Sequence, residues 1–362
     1  MSECIFCSLR VIPELEGTKK AAKSSRQVAT TPTTGRKEGV FRPEGSAKDQ
    51  NTERGAPRRV LLVQKFVYLG LPFKYDMYRI IEKDMLTPSI CRMKVQAPRL
   101  AAAAQPGQFL IVRADEKGER IPLTISDFDR EEGTVTIVTQ KIGASSADII
   151  SYEPGEAFQD VVGPLGLPSD FVNMSQDQLQ EQSYVFIAGG VGTAPVYPQV
   201  KWLHEHGVKV DVIVGARNRD LLIYTKELGS VADNLYICTD DGSEGFHGVG
   251  TAMLEKLVSE GRTYTQAVAI GPMIMMKFST LTCRKLGIPV IVSLNTLMVD
   301  GTGMCGACRV TVGGKTRFAC VEGPEFDGYE VDFDEAMRRQ GQYKAEEAEA
   351  MAKHECKIGR GK

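Results

Sequence analysis

One short stretch near the C-terminal end limits what this chain can be: Asp300-Gly301-Thr302-Gly303-Met304-Cys305-Gly306-Ala307-Cys308, completed by Cys320. Two cysteines separated by Gly-Ala, in a run that holds three glycines, present two thiolates to one point while the backbone curls closely around it. Plant-type iron-sulfur spacing is C-x4-C-x2-C followed by a distant cysteine. Cys305, Cys308 and Cys320 fit the last three positions, and the first, five residues before Cys305, is Asp300. The spacing therefore reads as an Asp300, Cys305, Cys308, Cys320 ligand set for a [2Fe-2S] centre. A carboxylate oxygen is a harder ligand than a thiolate, so Asp300 should shift the potential and leave one iron more labile. Two blander readings compete. Tetrahedral zinc also accepts Cys and Asp, but its structural sites usually take two compact pairs, and no second pair lies nearby. Buried, unligated thiols flanked by glycines would make a poor core.

A length of 362 residues suits two or three domains with substantial cores. The net charge of -2 and the 25% charged fraction give no case for nucleic acid or anionic lipid as a partner. No apolar run reaches the length of a membrane span, and the N-terminus lacks the basic and apolar regions of a signal peptide. The expectation is a cytoplasmic protein, in which nine cysteines argue for ligation or reduced thiols over a disulfide framework.

Residues 1–76 read as a disordered leader, with Lys19-Lys20, Lys23-Ser24-Ser25-Arg26 and a Thr/Pro/Gly tract that cannot supply a core. Cys4 and Cys7 in that leader read as incidental thiols, and residues 60–63 and 66–69 as a short strand or helix. Clear alternation starts at Met77, which makes that methionine the expected functional start. From 77 to about 175 short β-rich runs broken by turn residues predict a small antiparallel barrel, with strands at 78–83, 90–95, 108–113, 134–141 and 157–162. Within it, Arg120-Ile121-Pro122-Leu123-Thr124-Ile125-Ser126 places a guanidinium and two hydroxyls at alternating positions, on one face of a strand. Gly143-Ala144-Ser145-Ser146 opens a helix whose free N–H groups suit a pyrophosphate, although a serine-rich helix start is usually only an N-cap.

After a polar linker the periodicity changes, and 183–295 read as a parallel sheet with helices on both faces. Tyr184 to Ala188 is a buried strand, and Gly189-Gly190-Val191-Gly192-Thr193 turns it into a helix running to about His206. That loop departs from G-x-G-x-x-G, so it supports phosphate binding and not the full dinucleotide fingerprint. Ligands in open α/β sheets bind outside the carboxyl ends of the strands. The polar strand end Cys238-Thr239-Asp240-Asp241-Gly242 is therefore a candidate nicotinamide edge, with Cys238 a candidate catalytic residue whose plainer role is packing. Met273, Met275 and Met276 read as core packing. Residues 296–332 form the cluster segment, and 333–362 a C-terminal helix and tail. The helix from about Phe333 to Met351 is too polar for a core element, and Cys356 after it reads as a free thiol.

Barrel, nucleotide sheet and cluster segment in this order resemble the ferredoxin-NADP reductase superfamily, in the branch containing the electron-transfer subunit of dihydroorotate dehydrogenase. Met298 through Cys308 and Phe318-Ala319-Cys320 through Arg339 are most similar to the small-subunit family of NADH-dependent ferredoxin:NADP oxidoreductase, also called sulfide dehydrogenase beta subunit. The resemblance implies an antiparallel FAD-binding barrel, a parallel-sheet NAD(P)-binding domain and a small [2Fe-2S] segment. It implies that Arg120, Pro122, Leu123, Thr124 and Ser126 contact a flavin and that Gly143, Ser145 and Ser146 meet its pyrophosphate. Gly189, Gly190, Gly192, Thr193, Asp240 and Gly242 would hold NAD(H), with NADP(H) left open. The implied role is an oxidoreductase subunit that passes electrons between NAD(H), FAD and the cluster. Its implied partners are a larger FAD and iron-sulfur flavoprotein resembling a glutamate synthase small subunit, and ferredoxin. A polysulfide reductase, a dihydroorotate dehydrogenase subunit and a non-enzymatic iron-sulfur carrier stay open as alternatives.

Overall fold

The computed structural model describes residues 77–360, with side chains through His354. The leader with Cys4, Cys7 and the stretches 60–63 and 66–69, and the side chain of Cys356, lie outside the described residues.

The first unit is an antiparallel sheet of β1 (Ile80–Thr87), β2 (Ile90–Gln96), β3 (Phe109–Arg113), β4 (Arg120–Asp129), β5 (Thr134–Gln140) and β6 (Asp160–Leu165), in the order β1-β2-β5-β4-β3-β6. A bridge between Arg79 and Ala157 joins its two edges into a barrel. Two short helices, α1 (Pro98–Ala103) and α2 (Ala144–Ser151), accompany it. Alternation explains the barrel's core. Along β2, Cys91, Met93 and Val95 point inward and meet Leu110, Val112, Leu123, Ile125 and Ile137, while Arg92, Lys94 and Gln96 stay nearer solvent.

The second sheet runs β10-β9-β8-β7-β11-β12-β15. Its strands are β7 (Ser183–Gly189), β8 (Lys209–Ala216), β9 (Asn234–Thr239), β10 (Phe246–His247), β11 (Gln266–Ile270) and β12 (Val290–Ser293), all parallel to their neighbours, with β15 (Glu325–Asp327) antiparallel at the edge. The helices around it are α3 (Gln176–Gln180), α4 (Thr193–Glu205), α5 (Thr225–Gly229), α6 (Gly250–Ser259) and α7 (Met273–Leu286). Strand β7 is apolar at successive positions because both faces of the sheet are covered. Its Val185 and Ile187 enter one core with α6 and α7, and its Tyr184, Phe186 and Ala188 enter the other with α4.

The C-terminal segment is not a separate appendage. The hairpin of β13 (Arg309–Val312) and β14 (Lys315–Phe318) leads into α8 (Ala319–Glu322), and β15 then extends the large sheet. The single polar helix expected from Phe333 is two helices, α9 (Phe333–Gln340) and α10 (Lys344–Arg360), separated at Gly341. Polar on average, α9 still carries Phe333, Ala336 and Gln340 on one buried face, so it is a core element. Phe333 and Ala336 share a core with Cys308, Val310, Ala319 and Cys320, which seats the cysteine loop against the sheet.

Candidate functional site

A cleft opens where the three segments meet. Pro122, Leu123 and Thr124 of β4 form one side, and Val191, Ala194 and Pro195 of the glycine turn and α4 form a second. Ser293, Leu294 and Asn295 at the end of β12, with Met298 and Pro324 of the C-terminal segment, close it. Mostly apolar walls with a few placed polar groups are what a planar cofactor needs. Thr296 Oγ1, in the same wall segment, is buried with no partner among the described residues, a polar atom suited to a ligand.

Strand β4 does not keep all its polar side chains on the cleft. A register shift in the β4–β5 pairing between Ile125 and Asp127 interrupts the alternation at Ser126. Ser126 Oγ instead donates to the Thr136 carbonyl at 3.0 Å and is 3.4 Å from the Tyr224 hydroxyl, with the residue 1% exposed. Thr124 remains on the cleft, and Arg120 stands at the outer end of the strand, half-buried and 3.8 Å from Asp160. At the start of α2 the Ser146 hydroxyl accepts from the N–H groups of Ile142 and Gly143 at 2.9 Å, so it caps its own helix. Ser145 donates to Glu119, while a Cβ on Gly143 would meet nothing within 4 Å, leaving open space beside the helix start.

The carboxyl edge of the large sheet is built for close approach. Gly190 has a φ of +57°, Thr193 Oγ1 donates to its carbonyl at 2.8 Å, and α4 begins there with N–H groups unused by the helix. The sequence pattern places Met275 in the core with Met273 and Met276. Only the latter two are buried there, whereas the Met275 thioether lies across Gly189 and Gly271, where a Cβ would come within 2.3 Å and 2.2 Å of it. Asp240 and Gly242 lie in the loop after β9, and Gly242, at a φ of +72°, packs on the His247 ring. Cys238 sits at a strand end, but its side chain faces inward among Ile213, Met253 and Leu254 and is fully buried. Burial, then the charge of Asp240, pushes its thiol up to about 11, the setting of a packing residue.

The four cluster candidates fall into two pairs. Asp300 Oδ1 accepts from Thr302 N–H at 2.7 Å and Oδ2 from Cys305 N–H at 2.9 Å, which ties the carboxylate to the exposed Cys305. Burial works against the Asp300 charge, but these backbone donors outweigh it and hold the carboxyl below its ordinary range. Cys308 and Cys320 are both 2% exposed with sulfurs 3.2 Å apart. The hydrogen bond between them lowers the Cys308 thiol and, with burial, raises that of Cys320. Gly301, Gly303 and Gly306 have φ values of +76°, +86° and +68°, the left-handed turns that let the loop bend around its sulfurs. Among the described residues no three His, Cys, Asp or Glu side chains are gathered tightly enough to hold one metal ion. A binuclear centre instead takes two ligands on each iron, the division present here. Two thiolates on one tetrahedral metal at about 2.3 Å stand roughly 3.8 Å apart, so the buried pair need open only slightly.

Several site residues carried no sequence signal. Gln340 of α9 donates to both the backbone carbonyl and Oδ1 of Asn295, at 2.6 Å and 3.1 Å, and so fixes one wall of the cleft. Next to Pro324, Glu325 Oε1 accepts from Ser169 Oγ at 3.1 Å and from Gln199 Nε2 at 3.0 Å. Glu325 keeps some accessible surface, yet protein surrounds its carboxyl deeply enough that burial pushes it up to about 7. The strand-end rule would have found Ser293 and Asn295, because Ser293 ends β12 and Asn295 follows it.

Residues 295–332 match the family described as iron-sulfur cluster binding domain of dihydroorotate dehydrogenase B. A Clostridium beijerinckii protein, described as uncharacterized protein in adh 3'region, is 58% identical over 275 residues, covering 76% of this chain and 93% of that one. The Thermotoga maritima dihydroorotate dehydrogenase B (NAD(+)), electron transfer subunit homolog is 44% identical over 268 residues, covering 74% and 92%. A solved chain of an NADH-dependent reduced ferredoxin-NADP oxidoreductase, studied for flavin-based electron bifurcation, superposes with a TM-score of 0.71 at 41% identity, covering 76% of this chain and 97% of that one. No helix among the described residues is long and apolar enough to cross a membrane.

Proposed function

Because this chain belongs to the family of dihydroorotate dehydrogenase B electron-transfer subunits and their homologues, with a ferredoxin-NADP reductase-like fold, we propose that it passes electrons between NAD(H) and a one-electron partner. FAD occupies the cleft, NAD(H) the carboxyl edge of the sheet, and a [2Fe-2S] centre the set Asp300, Cys305, Cys308 and Cys320. Bound flavin exchanges a two-electron hydride for single electrons, which an iron-sulfur centre accepts one at a time.

The protein's work is to bind and position. Thr124 and the backbone of β4 line the flavin ring's side of the cleft, Arg120 offers charge to its phosphates, and the open start of α2 at Gly143 and Ser145 receives the pyrophosphate. Gly189, Gly190, Gly192 and Thr193 give the dinucleotide phosphates a close backbone and a helix N-terminus. Asp240 and Gly242 flank the nicotinamide end, and Met275 must swing off Gly189 and Gly271 to admit it. Apolar walls from Val191, Ala194, Leu294 and Met298 keep water from the reacting face.

The observation that carries this reading is the continuity between cleft and cysteine loop. Met298 lines the cleft, Asp300 follows two residues later, and the Cβ position of Gly301 lies 2.5 Å from Ile111 Cδ1 on β3, the strand whose Phe109 also lines the cleft. A larger flavoprotein with its own flavin and clusters is the proposed partner, with ferredoxin a further one. Met304, 89% exposed and next to the exposed Cys305, and Val321, 40% exposed and packed at Gly303, give it an apolar contact at the cysteine loop.

The test is the optical spectrum, flavin content, iron and acid-labile sulfide of the full chain purified anaerobically, followed by NADH addition. Two irons, two sulfides and one FAD per chain, with flavin bleaching by NADH, are expected. Zinc in place of iron, or no flavin, would overturn the reading.

A further inference from the structure

Two arginines stand behind the C-x2-C turn. Arg309 Nη1 donates to the Gly306 carbonyl and Arg339 Nη2 to the Ala307 carbonyl, each at 3.1 Å. They come from different elements, Arg309 from β13 directly after Cys308 and Arg339 from the last turn of α9. Together they hold the only two residues between Cys305 and Cys308, so the spacing of those thiols is fixed from two directions. Placing two guanidiniums beside one short turn is unfavourable by itself, since like charges repel. Arg339 registers the strain: burial first, then the charge of Arg309, lowers its proton affinity, with Glu335 pulling the other way. A guanidinium stays protonated regardless, so the positive field at the turn is permanent.

We infer that Arg339, assisted by Arg309, raises the reduction potential of the centre held by Cys305 and Cys308, by stabilising the negative charge that arrives with one electron. This rests on the cluster assignment above. One electron is taken from the reduced flavin and none is lost elsewhere; no bond breaks and no proton is needed. Potentials of iron-sulfur centres respond to net charge, hydrogen bonds to the sulfurs and solvent exposure, and a half-buried guanidinium beside the turn alters the first. Arg339 is half-buried and Arg309 exposed, so solvent screens Arg309 more and its effect is the smaller. Arg339 is a positioning residue, because it touches the backbone of the turn and not the sulfurs.

The experiment is an EPR-monitored redox titration of the full chain as wild type, Arg339→Gln, Arg339→Lys and Arg309→Gln. Glutamine keeps a donor and removes the charge, whereas lysine keeps the charge and changes the donor. In Arg339→Gln the reduced-to-oxidised ratio at a fixed potential should fall roughly tenfold, which is about 59 mV to the negative for a one-electron couple. Arg339→Lys should recover most of that, and Arg309→Gln should shift in the same direction by less. An intact signal with an unmoved midpoint in both glutamine variants overturns the inference, as does a lysine variant that behaves like glutamine. Should Arg339→Gln fail to assemble a centre, Arg309→Gln decides alone, and an unmoved midpoint there overturns it. Wild-type protein with no such signal would sink the cluster assignment first, a failure distinguishable from an unmoved midpoint.

Discussion

Replacing Glu325 with glutamine should change how the stability of this protein depends on pH. The carboxyl is surrounded by protein, and its two hydrogen-bond donors, Ser169 Oγ and Gln199 Nε2, are both neutral. Burial, reinforced by the Asp170 charge and only partly offset by the two donors, raises it from 4.5 to about 7. A carboxyl raised on folding binds its proton more tightly in the folded state. Its contribution is therefore intact below about 4.5, is lost as pH rises toward 7, and stays lost above. At 1.36 kcal/mol per pH unit, the ionised folded state bears a penalty of about 3 kcal/mol. Glutamine is nearly the same shape, accepts the same hydrogen bonds and never ionises. Between pH 5 and pH 8, wild type should thus lose about 2.5 kcal/mol relative to Glu325→Gln. Urea denaturation of both proteins at the two pH values measures this double difference, and titrations elsewhere in the chain cancel. A stability gap that stays constant to within about 0.5 kcal/mol would mean that the carboxyl is ionised and solvated in the folded protein, and the burial argument would be wrong.

Three further outcomes are expected. Gly301→Ala should cost about 2–5 kcal/mol, from the left-handed φ and from a Cβ 2.5 Å from Ile111 Cδ1; a thermal melt with unchanged midpoint and full iron content would contradict it. Asp300→Asn can keep the backbone contacts of Thr302 and Cys305 but is a poorer iron ligand, so the loop should persist while iron content drops; undiminished iron and an unaltered EPR spectrum would show that Asp300 only shapes the turn. Cys238→Ala should reduce stability by about 1 kcal/mol and leave NADH-to-dye turnover within twofold of wild type, and a tenfold loss of turnover in folded protein would restore Cys238 as a catalytic candidate.

Elements whose signals are local could be read directly from the order of residues. Alternation in Cys91, Met93 and Val95 marks a barrel strand, and the unbroken apolar run Tyr184 to Ala188 marks a strand covered on both faces, because side-chain direction has a period of two. The spacing of Cys305 and Cys308 likewise marked one tight turn, in which Gly301, Gly303 and Gly306 take left-handed conformations. Which residues meet depends instead on long-range packing. Ser126 left the cleft because a register shift, set by pairing with β5, breaks the alternation that sequence spacing assumes. The polar sequence of α9 concealed a buried face, since Phe333 and Ala336 among charges become a core stripe only when β13 and α7 lie beneath them. Arg339, Gln340 and Glu325 contact segments 32, 45 and 156 residues away, respectively. No local pattern encodes such contacts: they depend on where the chain returns, and that is fixed by the packing of whole elements.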